Sequence, residues 1–181
     1  MRDRPVEQAD AAFDRFAARE PFFAVMADPS YRASILSDEG RQRFFAQGDA
    51  IVEALYRTVS QHLDPYFAPT AILEYGAGVG RLALPLARRT AARGGAVTAV
   101  DRSGAMLEHA RSNAAAAGLT NLVCVAPADL PPGQRFDLVT CYLLLQRLPP
   151  EEGVALVRKL VARLLPGGIG AFQFPIGSRV S

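Results

Sequence analysis

The residues of this chain best suited to chemistry are a carboxylate and three glycines at the end of one predicted strand. The apolar run 72–75 includes Glu74, and three glycines follow at alternate positions, Gly76, Gly78 and Gly80. Because glycine lacks a Cβ, it can adopt unusual φ values and lets the backbone approach a ligand closely. The apolar residues from Leu82 onward predict a helix directly after this turn. A glycine turn between a strand and a helix N-terminus predicts a nucleotide-type cofactor site.

Glu74 bears on which cofactor the turn accepts. The glycine spacing is G-x-G-x-G, whereas the dinucleotide fingerprint is G-x-G-x-x-G. A pyrophosphate is stabilised by the amide donors and dipole of a helix N-terminus, so an adjacent carboxylate opposes it. The ammonium group of S-adenosylmethionine, a cofactor without phosphate, is attracted instead. Glu74 therefore favours S-adenosylmethionine over NAD, and the alternative is that it caps the turn by accepting backbone N–H groups.

A second carboxylate, Asp101, ends the β-rich run 96–100. It lies about 20 residues after the glycines, where a ribose-binding acid is expected. We expect Asp101 to accept from the two ribose hydroxyls, and the alternative is a helix-start role in which it competes with Ser103 for the N-cap. The Ala-rich run 103–117 predicts that helix. Met106, on its apolar face, packs in the core or lies over an adenine ring.

These motifs resemble the class I S-adenosylmethionine-dependent methyltransferases. Residues 74–80 resemble the family's first motif, E/D-x-G-x-G-x-G, and residues 100–107 resemble its strand-two acid followed by a helix beginning S-x-x-M-L. The match continues through strands three to five in the segments 121–126, 129–131, 136–139, 144–150 and 165–168. The resemblance implies an α/β fold with a doubly wound, mostly parallel sheet in the order 3-2-1-4-5 and helices on both faces. It also implies S-adenosyl-L-methionine as the cofactor, bound by Glu74, Gly76, Gly78, Gly80, Asp101, Arg102, Met106, Asp129, Leu130 and Tyr142.

Two positions depart from the family's pattern. Many relatives carry an acid directly after strand three, where this chain has Ala126. Asp129 either replaces the contact of that acid with the adenine amino group or is a solvated loop acid. Relatives often carry His in the stretch after strand four, where this chain has Arg147, a permanent cation. The sequence therefore supports no mechanism based on that histidine, and it identifies no catalytic base.

Three side chains follow strand four near the expected exit of the methyl group: Tyr142, Gln146 and Arg147. Gln146 is a candidate to orient an acceptor and Arg147 to hold an acidic one, and the alternative is that they are surface or helix-start residues. The sequence predicts S-adenosylmethionine-dependent methyl transfer to an unidentified small-molecule acceptor. The alternative is an inactive or truncated cofactor-binding module that acts through a partner. The glycine spacing disfavours a third reading, an NAD-dependent oxidoreductase.

The composition is typical of a soluble intracellular enzyme with one domain. The 181 residues are 50% hydrophobic and 21% charged, with a net charge of +2. The basic residues are scattered arginines and the single Lys159, a pattern that does not indicate nucleic-acid binding. Without an apolar signal core or membrane span in the sequence, the expected location is the cytoplasm. Cys124 and Cys141 are expected to be buried thiols in strands rather than a disulfide or metal ligands.

Residues 1–69 are predicted to form a helical extension or lid, and residues 70–181 a Rossmann-like core. The strongest helix is predicted over 41–63, where apolar residues follow the i, i+3, i+4, i+7 pattern. Three aromatic residues of the extension are expected to pack against the sheet, and the alternative is that they form a lid over the cofactor: Phe22, Phe23 and Tyr31.

The last predicted elements are a helix over 151–164 and strand five over 169–174. The helix is expected to bury Val154, Leu156, Val157, Leu160, Val161 and Leu164. Relatives usually continue into two antiparallel strands that a chain ending at Ser181 cannot both contain, so a C-terminally truncated core is expected. Strand five would then be an edge with unpaired backbone groups. The expected explanations are a cut fragment, shielding by the N-terminal helices, or a homodimer that covers the edge.

Overall fold

Five parallel strands form one sheet in the order β3-β2-β1-β4-β5. The computed structural model describes the backbone of residues 4–174 and the side chains of residues 11–174. The strands are β1 (Ala71–Tyr75), β2 (Ala96–Val100), β3 (Leu122–Val125), β4 (Phe136–Cys141) and β5 (Leu164–Phe172). The predicted α/β class and strand order are confirmed.

The centre of the sheet is β1, which pairs with β2 on one side and β4 on the other. The registers place Tyr75 beside Val100 and Glu74 beside Thr140. Because parallel strands end at the same edge of a sheet, the carboxyl ends of β1, β2 and β4 meet there. The strand order reverses at β1, and such a switch point is where open α/β sheets bind ligands.

Helices cover both faces of the sheet. Within the described residues they are α1 (Arg4–Arg19), α2 (Pro21–Met26), α3 (Asp38–His62), α4 (Ala83–Ala91), α5 (Gly104–Ala116) and α6 (Pro150–Val161). Alternate strand residues point to opposite faces. On one face Ile72 and Val97 pack with residues of α3, α4 and α5. On the other face Leu73 and Val139 pack with Leu160 of α6.

The longest helix, α3, begins three residues before its predicted start. The Ser37 side chain caps it by accepting from the Gly40 N–H at 3.1 Å, which satisfies a backbone donor that has no partner within the helix. Val52 and Tyr56 of α3 lie in the same buried cluster as Ile72 of β1. This helix therefore shares the core of the sheet, and a domain division after residue 69 stays a prediction. Leu63, the last residue of the predicted helix, is 69% exposed, because it follows the last turn as the C-cap.

Gly48 lets α3 pass directly over the turn that follows the glycines. A Cβ built at Gly48 would lie 2.1 Å from the backbone oxygen of Arg81, and backbone cannot rotate away. We expect Gly48→Ala to lower the free energy of unfolding by about 3 kcal/mol, the upper part of the usual range for overpacking. Urea unfolding measures the change. Gly40→Ala in the same helix is the control, because its nearest atom is the movable Leu36 Cδ1. Equal stability of the two variants would contradict the close approach.

The helix α6 and strand β5 differ from their predicted limits. Helix α6 ends at Val161, and Leu164 already belongs to β5, which includes residues 165–168 with an irregular register against β4. Leu160 is buried as predicted, whereas Val154 and Val161 are 52% and 49% exposed. The helix packs through a narrow stripe around Leu160, and these two valines point away from it. Residues 173 and 174 of the predicted strand lie outside β5, which is an edge of the described sheet.

The aromatic residues of the N-terminal helices form a cluster of their own. Phe22 and Tyr31 are buried against Phe44 of α3, with ring centroids 4.9 and 5.3 Å away in edge-to-face geometry. Phe23 lies under the Arg32 guanidinium, 3.6 Å from the ring centroid. The cluster of Phe22 and Tyr31 contains no strand residue, so the expected packing against the sheet is wrong for them. They pack against α3 instead, and these contacts favour packing over the lid role. None of the helices within residues 4–174 is long and apolar enough to cross a membrane.

Candidate functional site

The glycine turn has the backbone geometry that its sequence requires. Gly76, Gly78 and Gly80 have φ values of 82°, 53° and 89°, in the region that residues with a Cβ rarely adopt. A Cβ at Gly80 would lie 2.3 Å from Leu84 Cδ1 and 3.6 Å from the Cβ of Ala110. Gly80 thus leaves room for Leu84 of α4, and a Cβ at Gly76 or Gly78 would lie 2.9 Å from Leu144 Cδ2 or Val25 Cγ2.

Asp101 holds the turn from β2. Its two carboxylate oxygens accept from the Gly78 N–H at 2.8 Å and the Ser103 N–H at 2.9 Å. Burial raises the pKa of Asp101, and the two backbone hydrogen bonds oppose that rise. Ser103 is the N-cap of α5, because its side chain accepts from the Met106 N–H. Ser103 rather than Asp101 is therefore the N-cap of α5. The Asp101 carboxylate lies between the glycine turn and the start of that helix.

Glu74 lies below the turn, inside the sheet. It is 2% exposed, and its carboxyl group is hydrogen-bonded to the Thr140 hydroxyl on β4. Thr140 Oγ1 is also 3.3 Å from the carbonyl oxygen of Leu73. One hydroxyl hydrogen cannot serve two acceptors, so a protonated Glu74 that donates to Thr140 satisfies all three groups. Burial raises the pKa of Glu74 to about 8, in agreement with the neutral form.

The capping alternative for Glu74 does not describe this geometry. The Gly76 and Ala77 N–H groups donate to the Val100 carbonyl at 2.7 and 3.0 Å, and Gly78 donates to Asp101. The capping alternative is wrong for these amides, because Glu74 accepts none of them. A neutral carboxyl group below the turn presents no anion to a ligand above it, so contact of Glu74 with an ammonium group stays a prediction.

The helices α1 and α2, called here the cover helices, are attached to the site at two places. Asp14 of α1 accepts from the Ser103 hydroxyl at 2.6 Å and from the Ala105 N–H at 3.0 Å. The Ser103 hydrogen bond lowers the pKa of Asp14. On the other side, the Arg147 guanidinium donates to the carbonyl oxygen of Val25, within α2, at 2.9 Å. A Cβ at Gly78 would lie 2.9 Å from Val25 Cγ2, so the cover helices reach the glycine turn itself.

Removal of the first attachment gives a testable effect. Asp14→Ala leaves the Ser103 hydroxyl and the Ala105 N–H without their acceptor, and we expect a loss of about 1 to 2 kcal/mol of stability, as for other helix-capping acids. Relative to the parent, hydrogen exchange in Asp14→Ala should accelerate more for the amides of α1 than for those of α5. Asp28→Ala is the control, because Asp28 also caps a short helical turn but bonds only Ser30. Unchanged exchange of α1 in Asp14→Ala would contradict this attachment.

Two adjoining cavities open at the carboxyl edge of the sheet within the described residues. The first, of about 360 Å³, lies between Tyr75 and the α6 residues Glu152 and Lys159. The second, of about 310 Å³, lies between the glycine turn and the cover helices, with Phe13 and Val25 on its far side. Both are lined by Gly76, Asp101, Arg102, Leu144 and Leu148. Asp101 therefore stands where the two cavities meet.

A strained loop closes the second cavity after β4. Leu143 has a φ of 56°, which is uncommon for a residue with a branched side chain. Its N–H donates to the Gln173 side-chain oxygen at 3.0 Å. Tyr142, Leu143 and Arg147 all line this cavity. Such strain is concentrated at functional sites, where the surrounding structure holds the backbone in place.

The structure brings together some of the predicted site residues and not others. Gly76, Asp101 and Arg102 line both cavities, and Gly78, Met106 and Tyr142 line the second. Glu74 and Gly80 lie behind the turn. Asp129 is exposed, and Leu130 packs in the core below β4, so both lie outside the two linings. Their contact with a cofactor stays a prediction, as does that of the exposed Gln146.

Sequence reasoning missed the residues that reach the site from other elements. Phe13, Ala24 and Val25 come from the cover helices, and Glu152 and Lys159 from α6. Leu144 and Leu148 lie in the segment 144–150, which resembles the family. A leucine side chain does not by itself indicate a binding role, so the sequence did not identify them. The seven-residue spacing of Glu152 and Lys159, which places them on one side of a helix, is the only local pattern that could have paired them.

Comparison with known proteins identifies the family. The family model described as "Methyltransferase domain" matches residues 72–168, which is 97 of the 181 residues. The chain belongs to this methyltransferase family. The match begins in β1 and ends in β5, so it contains the glycine turn, Asp101 and the loop after β4. The resemblance to class I S-adenosylmethionine-dependent methyltransferases is confirmed.

Two curated proteins and one solved structure are similar to this chain. Carboxy-S-adenosyl-L-methionine synthase of Shewanella loihica is 29% identical over 76% of this chain and 56% of its own length. Trans-aconitate 2-methyltransferase of Paracidovorax citrulli is 35% identical over 61% of this chain and 41% of its own. The N-terminal domain of EvdMO1, solved in the presence of SAH and D-fucose, is 26% identical over 65% of this chain and 47% of that one, with a TM-score of 0.53. The chain spans about half the length of the curated relatives that it matches.

Proposed function

We propose that this methyltransferase-family chain binds S-adenosylmethionine and transfers its methyl group to a small-molecule acceptor. The observation that carries the proposal is the position of Asp101 beside the glycine turn, where the two cavities meet. An extended nucleoside ligand can run through both cavities, because they share five lining residues. The EvdMO1 domain of the same fold was solved with SAH, the product form of this cofactor.

The described residues fit such a ligand. Asp101 keeps lone pairs for the ribose hydroxyls, since each of its oxygens accepts one backbone bond and can accept another. Gly76 and Gly78 place no side chain of their own between the backbone and the ligand. Arg102 and Met106 offer flat and polarizable surfaces for an aromatic base at the rim and floor. We propose this set, with Tyr142, as the cofactor-binding residues.

The cofactor supplies an electrophilic methyl group on a sulfonium, and the protein supplies alignment and exclusion of water. Methyl transfer needs the acceptor atom in line with the methyl–sulfur bond at about 3 to 3.5 Å. Phe13, Ala24 and Val25 of the cover helices form an apolar wall over the second cavity. The attachments through Asp14 and Arg147 hold that wall in place. This arrangement shields the reacting atoms from water.

The proposal is tested by incubation of the protein with S-adenosylmethionine and a panel of small acids, phenols, amines and thiols. We expect S-adenosylhomocysteine to accumulate with one class of acceptor, as measured by liquid chromatography and mass spectrometry. Binding of S-adenosylhomocysteine without turnover of any acceptor would favour the alternative, an inactive module that acts through a partner. Conversion of the cofactor to a heavier sulfonium without loss of its methyl group would contradict methyl transfer.

Association of two copies along β5 stays a prediction. In the described residues β5 is an edge strand, and Leu165 within it and Phe174 beyond its end are exposed. A strand edge with free backbone groups can pair with another chain. Analytical ultracentrifugation distinguishes a monomer from a dimer.

A further inference from the structure

The second cavity is cationic where it faces the cover helices. Among the described residues, its charged lining consists of Asp101, Arg102 and Arg147. Both oxygens of Asp101 already accept backbone N–H groups, which delocalises part of its charge into the turn. Arg147 uses one guanidinium nitrogen to hold the Val25 carbonyl at 2.9 Å. A guanidinium has five N–H donors in a planar fork, so the rest of the fork suits a carboxylate.

The same cavity contains no side chain suited to remove a proton from an acceptor. The titratable groups of its described lining other than the arginines are Asp101 and the phenol of Tyr142. In the proposed function Asp101 is occupied by the ribose hydroxyls, and the described lining contains no histidine and no second carboxylate. A phenol or ammonium acceptor would need such a base, because only its deprotonated form attacks. A carboxylic acid is already ionised at neutral pH, since ordinary carboxyl pKa values are near 4.

From these two observations, and resting on the proposed function, we infer that the acceptor is a small molecule with at least two carboxylates. One carboxylate pairs with Arg147, and another attacks the methyl group and becomes a methyl ester. Two are needed because a carboxylate held by a guanidinium fork has its charge neutralised and is a weak nucleophile. The reacting carboxylate instead faces the apolar wall of Phe13, Val25 and Leu144, where loss of water strengthens its attraction to a sulfonium.

The transfer balances without a further reactant. A carboxylate oxygen donates an electron pair to the methyl carbon, so the O–CH₃ bond forms as the S–CH₃ bond breaks. The pair of the broken bond stays on sulfur, which becomes a neutral thioether. The anion and the sulfonium cancel each other's charge, and no proton moves. A cavity with an anchoring cation and without a general base is therefore sufficient for this step.

Three variants separate the charge of Arg147 from its structural contact with Val25. Arg147→Lys keeps the charge and a donor, whereas Arg147→Gln keeps a donor for the Val25 carbonyl and removes the charge. Arg158→Gln is the matched control, because Arg158 is an exposed arginine of α6 outside both cavity linings. The probe is trans-aconitate, with succinate as a smaller dicarboxylate and catechol and benzylamine as acceptors without carboxylates. Calorimetry measures binding of each probe to the protein saturated with S-adenosylhomocysteine.

We expect trans-aconitate or succinate to bind the saturated protein. The Kd should be at least tenfold higher in Arg147→Gln, since removing one partner of a charged hydrogen bond costs at least one factor of ten. It should rise less in Arg147→Lys, which keeps the charge but not the planar fork, and stay within about threefold of the parent in Arg158→Gln. In turnover, the product should release methanol in mild alkali, as methyl esters do and methyl ethers do not. Binding of neither dicarboxylate, equal binding in Arg147→Gln, or turnover of catechol or benzylamine instead would overturn the inference. Failure of S-adenosylhomocysteine to bind at all would instead overturn the proposed function.

Discussion

Replacement of Asp101 by Ala is expected to weaken binding of S-adenosylhomocysteine by about 10- to 150-fold. This range corresponds to about 1.5 to 3 kcal/mol for hydrogen bonds to a charged group. Asp101 stands where the two cavities meet, and its oxygens retain lone pairs directed beyond the bonds from Gly78 and Ser103. Isothermal titration calorimetry at fixed ionic strength gives the Kd of each variant.

Loss of the turn's support must be separated from loss of a ribose contact in this experiment. Asp137→Ala is the matched control, because Asp137 also accepts two backbone N–H groups, from Thr70 and Ala71, at the opposite end of β1. It should cost stability without a change in ligand affinity. The 2′-deoxy analogue of the ligand gives a second test, since a direct contact predicts that the missing hydroxyl costs affinity in the parent and none in Asp101→Ala. Equal losses in both proteins would argue that Asp101 supports the turn only.

The second large effect is on the pH dependence of stability, through Glu74. Its pKa is raised to about 8 in the folded protein by burial, against an ordinary value of 4.5 in the unfolded chain. Because its pKa is raised in the folded state, the Glu74 carboxyl group contributes its full stabilisation below pH 4.5. This stabilisation is lost as the pH rises toward 8. At about 1.4 kcal/mol per pH unit, the free energy of unfolding should fall by about 4 kcal/mol over this window. Glu74→Gln keeps the shape and the hydrogen bond to Thr140, so this slope should disappear.

Urea unfolding at intervals between pH 5 and pH 8 measures the slope. The expected result is that Glu74→Gln is close to the parent at pH 5 and more stable than it at pH 8. Glu108→Gln is the control, because Glu108 is an exposed residue of α5 whose nearest charged partner is Arg111. Parallel profiles for the parent and Glu74→Gln would show that Glu74 ionises normally in the folded protein, and the neutral hydrogen-bonded carboxyl would be wrong. The pKa of the Cys141 thiol, raised to about 12 by burial and by the neighbouring Glu74, keeps that thiol out of this window.

The sheet was predictable from sequence because its signals are local. Each strand is a short apolar run that ends in a turn residue, and each crossover in a parallel sheet has the same hand, so few arrangements are possible. The glycine turn required positive φ values that only its residue types allow, and all three glycines have them. Cys124 and Cys141 are buried free thiols as predicted, because strand interiors exclude water.

The electrostatics of the site were not predictable in the same way. From the sequence alone Glu74 is expected to be charged. Its protonation state depends on the partner that β4 places beside it, which is the neutral hydroxyl of Thr140. Asp14 lies 89 positions from Ser103 in the chain, and no periodicity connects them. In the sequence Arg147 is notable only because relatives often carry histidine at this position. The structure adds that its contact with Val25 holds the cover helices. Residues that act across long sequence separations carry no local pattern, so their roles appear only in the fold.

The most direct test of the central claim is a paired calorimetric titration with S-adenosylhomocysteine and NADH. The cavities around Asp101 are predicted to accept S-adenosylhomocysteine at a stoichiometry of one per chain, with affinity that falls in Asp101→Ala but not in Asp137→Ala. NADH should give no saturable heat, because the G-x-G-x-G spacing of this turn differs from the G-x-G-x-x-G spacing that accommodates a pyrophosphate. Saturable binding of NADH with no response to S-adenosylhomocysteine would contradict the account.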